Sequence, residues 1–155
     1  MKQILQAFDR LRPAAPLVLR VVLGGLFVYH GFDKFDGGIG MVEQMFDSWG
    51  VPAPGLAAPV TAIVEIVGGL ALVVGLGTRV AASALGLVMV GALLFVKTDL
   101  GIISGEPMPG AELDLGLLAG LFAVMALGPG SLSVDQATGL DTSATAEGRS
   151  ALVST

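Results

Sequence analysis

Five side chains in this sequence offer chemistry that an apolar environment rarely holds without reason: Tyr29, His30, Lys34, Glu65 and Asp114 fall within or beside long apolar runs. An ionisable group at the centre of a bilayer costs about 2.5 to 3.5 kcal/mol on insertion scales, so each calls for a partner or a task. A carboxylate, an imidazole and an ammonium around a partly dry cavity can donate hydrogen bonds to the carbonyls of a quinone headgroup and exchange protons as it changes oxidation state. On this reading Glu65 and His30 are the catalytic pair, while Lys34, Tyr29 and Asp114 bind the ligand. The same groups could instead neutralise one another and fix helix register with no ligand at all. A metal held by Glu65, Asp114 and His30 would need three ligands from three segments, and none is expected.

The elements that must position these residues follow from hydropathy. Of 155 residues, 54% are hydrophobic and only 14% charged, which is too apolar for a globule dissolved in water. A helix needs roughly 20 residues, at about 1.5 Å each, to cross about 30 Å of hydrocarbon. Runs near that length lie at about Leu17 to Phe35, Ala57 to Leu76, Arg79 to Val96 and, shorter, Glu112 to Leu127. The Gly77-Thr78 link is short enough to make its two spans antiparallel neighbours. The predicted fold is therefore all-α, an integral membrane four-helix bundle, with residues 17–128 as its transmembrane domain.

Flanking segments read differently. Met1 to Arg12 places Ile4, Leu5, Phe8 and Leu11 at helical spacing, as in a short interfacial helix, before Pro13 and Pro16 break it. No cleavage pattern follows, so residues 1–16 are expected to be a retained amphipathic segment. The connection Asp36 to Leu56 carries Met41, Met45, Phe46 and Trp49, a composition suited to a short helix along the membrane surface. Residues 129–155, rich in Ser, Thr, Ala and Gly, are expected to form a disordered polar tail.

Charge gives an orientation. Lys2, Arg10, Arg12, Arg79 and Arg149 fall on one side, whereas Lys34 and Lys97 on the other sit among Asp33, Asp36, Glu43, Asp47, Asp99, Glu106 and Glu112. The positive-inside bias puts both termini and the Gly77-Thr78 link in the cytoplasm. Counting about 1.5 Å per residue from that side brings Tyr29, His30, Glu65 and Asp114 to within about 3 Å of one level, with Lys34 and Lys97 somewhat farther out. Arg20 and Arg79 fall near the opposite surface, where they are expected to serve topology and reach headgroups by snorkelling. Glycines such as Gly24, Gly25, Gly68, Gly69, Gly86, Gly91, Gly116 and Gly120 let helices approach closely, within one subunit or in a homo-oligomer.

Several functions are excluded. With no cysteine, the chain has no disulfide, thiolate metal site or thiol relay. A single histidine rules out a bis-histidine haem within one chain. A net charge of −5 argues against nucleic acid as a partner.

Two stretches carry a family resemblance: Arg20-Val-Val-Leu-Gly-Gly-Leu-Phe-Val-Tyr-His-Gly-Phe-Asp-Lys34, and Ile63-Val-Glu-Ile-Val-Gly-Gly-Leu-Ala-Leu-Val-Val-Gly-Leu-Gly-Thr-Arg79. An arginine opening the first span, an HGxxK-like end to it, then a glutamate with paired glycines and a GxxTR-like start to the third span resemble the DoxX family of small membrane proteins. The resemblance runs over about Leu17 to Leu127. It implies a multi-pass protein of the cell inner (plasma) membrane, associated with redox partners. The family name comes from a subunit of a terminal quinol oxidase, with relatives from thiosulfate:quinone oxidoreductase. The expected function is thus a membrane subunit in quinone-linked redox chemistry, with quinone as the non-covalent cofactor, lipid around it and electrons from a partner oxidoreductase. A membrane scaffold or assembly subunit, or a small-solute transporter, stands as the alternative.

Overall fold

A computed structural model describes residues 12–97, 102–103 and 110–141. The amphipathic start expected over Met1 to Arg12 lies outside the described residues except for Arg12, as do Asp99, Glu106 and residues 142–155. After a 3-10 turn at Arg12–Ala14, the helices are α1 (Ala15–Asp36), α2 (Ile39–Ser48), α3 (Pro54–Val74), α4 (Thr78–Gly91), α5 (Ala111–Leu127) and α6 (Val134–Thr138). Among the described residues there is no strand.

Local chemistry sets the boundaries. Pro16 and Pro54 sit in the first turns of α1 and α3, where a missing N–H costs nothing. Gly75, at φ 74°, closes α3 by donating its N–H to the Ala71 carbonyl in the left-handed conformation that glycine adopts freely. Gly77, at φ 56°, then opens α4. In the connection after α1, the predicted short helix is present as α2, packed on α3 with Val42 buried and Met41 outward. The Glu43 carboxylate of α2 lies beside Gly55, over the positive end of α3, where a negative charge is stabilised by the helix dipole.

Three helices are long and apolar enough to cross a membrane: α1 with 22 residues, α3 with 21, and Thr78–Val96 with 19, the last being α4 and the π turn that continues it over Ala92–Val96. With 17 residues, α5 advances only about 25 Å. It packs against α4 and, less extensively, α1. The core joins Leu23 and Phe27 of α1, Leu72 of α3, Leu85 and Met89 of α4, and Leu117, Leu121 and Val124 of α5. Outward faces carry Val18, Val22, Leu26, Val67, Leu87 and Phe122, an apolar exterior that water would not tolerate and lipid does.

The closest helix pair is α1 with α3. A Cβ on Gly24 would stand 2.5 Å from the Gly69 carbonyl oxygen, and one on Gly69 would stand 2.6 Å from that of Gly24. A Cβ on Gly31 would meet the Ala62 carbonyl oxygen at 2.8 Å. These glycines therefore pack helices within one chain.

One expectation about the tail is corrected. Residues 129–141 are not a loose polar appendage: Pro129 and Asp135 are buried, and α6 folds back onto the Gly75–Thr78 turn. Individual specific hydrogen bonds, described below, hold a segment whose average composition is that of a linker.

Candidate functional site

The polar residues singled out by depth converge between α1, α3, α4 and α5. The Lys34 ammonium donates to Glu65 Oε2 at 2.6 Å and reaches its own helix's His30 carbonyl at 3.4 Å. Glu65 is 3% exposed. It faces inward because it shares its side of α3 with Ala58, Ala62, Gly68, Gly69 and Leu72, the buried stripe of that helix. His30 and Lys34, four residues apart, share a face of α1. The His30 imidazole lies within electrostatic range of both Glu65 and Asp114.

A second pair completes the group. The Lys97 ammonium stands 3.8 Å from Asp114 Oδ2, too far for a direct hydrogen bond. Asp114 is 8% exposed, and among the described residues its Oδ2 has no hydrogen-bond partner. Lys97 owes its position to the π turn, which ends with the Lys97 N–H bonded to the Ala92 carbonyl five residues back. A π turn takes more residues per turn than an α-helix, so it rotates the residue that follows, and such turns concentrate at functional sites.

Tyr29 does not join this group. It is 68% exposed and meets His30 edge-on, with ring centroids 6.1 Å apart. One residue is about 100° of rotation on a helix, so a side chain adjacent to His30 cannot share its inward face. Among the described residues, no cluster of His, Asp and Glu has the arrangement of a metal site.

The arginine at the other end requires a larger correction. Arg20 does not snorkel to headgroups: it is 0% exposed, donating from Nη1 to the Leu72 carbonyl at 3.1 Å and from Nη2 to the Leu132 carbonyl at 2.5 Å. A depth count measures distance along the axis and says nothing of which carbonyls lie sideways. Arg79 is half-exposed, yet it too is engaged, with Asp141 Oδ2 at 2.8 Å and the Met125 carbonyl at 2.5 Å.

Asp135, which the sequence reading passed over, organises this end. Its Oδ1 accepts from the Gly77 N–H at 2.6 Å and its Oδ2 from the Thr78 N–H at 2.8 Å, while its own N–H donates to the Gly75 carbonyl at 2.8 Å. It thereby caps α4 from a distant segment. Burial alone would raise its pKa, but the hydrogen bonds from Thr78 and Gly77 hold it below the ordinary carboxylate value. The signal that could have revealed the segment is Ser133-Val-Asp-Gln136, a capping-box spacing: Ser133 Oγ accepts from the Gln136 N–H at 3.1 Å.

Because the folded pKa of Asp135 is depressed, its stabilisation is present above the ordinary aspartate value and is lost as pH falls from about 4 toward the folded value. Asp135→Asn should therefore cost about 1 kcal/mol near neutrality, and the gap to the wild type should close in acid. Thermal unfolding in detergent across that pH range measures it; a gap that persists unchanged in acid would refute the assignment.

The family model described as DoxX matches residues 15–98. The chain belongs to the DoxX family. It is 37% identical over 102 residues to "Putative oxidoreductase CatD" of Bacillus subtilis, covering 66% of this chain and 70% of that protein. It is 34% identical over 132 residues to the membrane protein Rv3486 of Mycobacterium tuberculosis, covering 80% and 81%. It is 31% identical over 135 residues to the inner membrane protein YphA of Escherichia coli, covering 83% and 94%. No solved structure matches. The DoxX match contains Arg20, His30, Lys34, Glu65, Arg79 and Lys97, but ends before Asp114 and Asp135. Kinship and the three apolar helices together make this DoxX chain a membrane protein in contact with lipid.

Proposed function

We propose that this DoxX protein is a multi-pass subunit of the cell inner membrane that works in quinone-linked redox chemistry, with electrons supplied by a partner oxidoreductase. The observation that carries the reading is a polar set in which two buried carboxylates, Glu65 and Asp114, meet the partly buried Lys34, His30 and Lys97 from segments distant in sequence. Charges so placed are costly to keep, and lipid-embedded pairs of this kind mark ligand and proton paths.

The residues fit a quinone headgroup: the two ammonium groups are donors for ring oxygens, and Asp114 Oδ2 is a buried acceptor that lacks a hydrogen bond among the described residues. A bound quinone supplies reversible electron uptake coupled to protons. Glu65 and His30 hold protons near it, Lys34 fixes Glu65, and the apolar shell of α1, α3 and α5 excludes water. The oxidoreductase name of the CatD relative agrees with this class of chemistry.

In this reading α5 is a short fourth crossing, and the bundle places both termini and the Gly77-Thr78 turn in the cytoplasm. Arg12, Arg20 and Arg79 are described cations toward that end, and α2 lies along the outer surface. A scaffold role is favoured by one observation, the closure of Lys34 on Glu65, which leaves that pair self-neutralised.

Purification in mild detergent, followed by extraction of lipophilic cofactors and identification of co-purifying proteins, separates the two. Glu65→Gln should lower quinone content and any quinone reductase activity about a hundredfold or more, the contribution typical of a positioned proton carrier, at unchanged expression. Full retention of both would reject the site.

A further inference from the structure

The two lysine–carboxylate pairs are unequal. Lys34 and Glu65 form a closed contact at 2.6 Å, so the acceptor capacity of Glu65 toward Lys34 is already used. Lys97 and Asp114 stand 3.8 Å apart, and Asp114 Oδ2 is buried and, among the described residues, without a hydrogen bond. Buried carboxylate oxygens are almost always hydrogen-bonded, so this one is the atom most in need of a donor.

Resting on the quinone-linked reading above, we infer that Asp114, with Lys97 as its counter-charge, receives a ring hydroxyl of the ligand, and that the site therefore selects the hydroquinone over the quinone. A carboxylate paired with an ammonium accepts hydrogen bonds and gives none. A quinone carbonyl also only accepts, so against Asp114 it would leave two acceptors facing each other in a dry site. A phenolic hydroxyl donates to Oδ2 and can itself accept from the Lys97 ammonium, bridging the two from the side. Glu65 keeps its proton-holding role with Lys34 fixing it, and Asp114 is the residue that distinguishes the reduced from the oxidised ring.

The test uses the full chain in detergent micelles without oxygen, with three probes: a short-chain benzoquinone, its hydroquinone, and the dimethyl ether of that hydroquinone, which keeps the ring but has no donor. Equilibrium dialysis should find the hydroquinone bound about tenfold more tightly than the quinone, the factor expected of one charge-assisted hydrogen bond, with the ether losing that advantage. Asp114→Asn should bring the hydroquinone and quinone to within about twofold of one another, whereas Glu43→Gln, on the exposed face of α2, should leave the preference intact. Equal binding of quinone and hydroquinone by the wild type, or a preference surviving in Asp114→Asn, would overturn this assignment while sparing the quinone-linked function. Failure of the wild type to bind either ring would overturn both. The ether comparison needs no variant, so the outcome does not depend on the mutant folding.

Discussion

Lys34→Met should destabilise the folded protein by about 3 to 5 kcal/mol, the range found when one partner of a buried ion pair is removed and the other is left uncompensated. Glu65 is 3% exposed, and Lys34 is the only ammonium within hydrogen-bond reach of its carboxylate among the described residues. The diagnostic result is the double replacement: Lys34→Met combined with Glu65→Leu should recover most of the loss, because the cost lies in the orphaned charge rather than in the missing contact. Reversible unfolding in mixed micelles gives both values. If the double variant were as unstable as the sum of the singles, the pair would have to be valued as an attraction in its own right.

Gly69→Val should be nearly as damaging, by about 1 to 3 kcal/mol from overpacking alone. The reason is the neighbour that its side chain would strike. The Gly24 carbonyl, 2.6 Å from a Cβ at this position, is backbone and cannot rotate aside, and the amide nitrogen of Val28 lies at 2.9 Å. The α1–α3 contact would have to open, carrying Lys34 and Glu65 apart with it. Gly116→Val is the control, since a Cβ there meets nothing within 4 Å. The same unfolding assay should find the control near the wild type; equal losses at both positions would show that the cost is helix propensity and not the crossing.

How much of this could be read before any coordinates is best judged residue by residue. The span Leu17 to Phe35 differs from α1 by two residues at its start and one at its end, because a mostly apolar stretch of that length in lipid must satisfy its backbone within itself, as a helix does. The meeting of Lys34 with Glu65 was also legible, since residues at one depth on adjacent helices have few other places to go. What depth could not supply was rotation about the axis. Tyr29 and Arg20 were both misplaced for that reason, one expected inside and found outside, the other the reverse. The π turn before Lys97 was invisible because Ala92-Leu-Leu-Phe-Val96 has the composition of ordinary α-helix. The stretch around Asp135 was misread because a handful of specific hydrogen bonds outweighed a composition typical of linkers.

The bond from Arg20 to the Leu132 carbonyl spans 112 positions of sequence. Translation makes α1 first, so its guanidinium emerges long before the acceptor that will satisfy it has been synthesised. Until then the nascent helix must leave that cation to water or phosphate at the bilayer margin, and only the arrival of the final described residues lets it be drawn inside. Assembly of α1 is therefore completed by the segment that precedes α6, and a ribosome stalled before Leu132 would leave an inserted but unfinished protein.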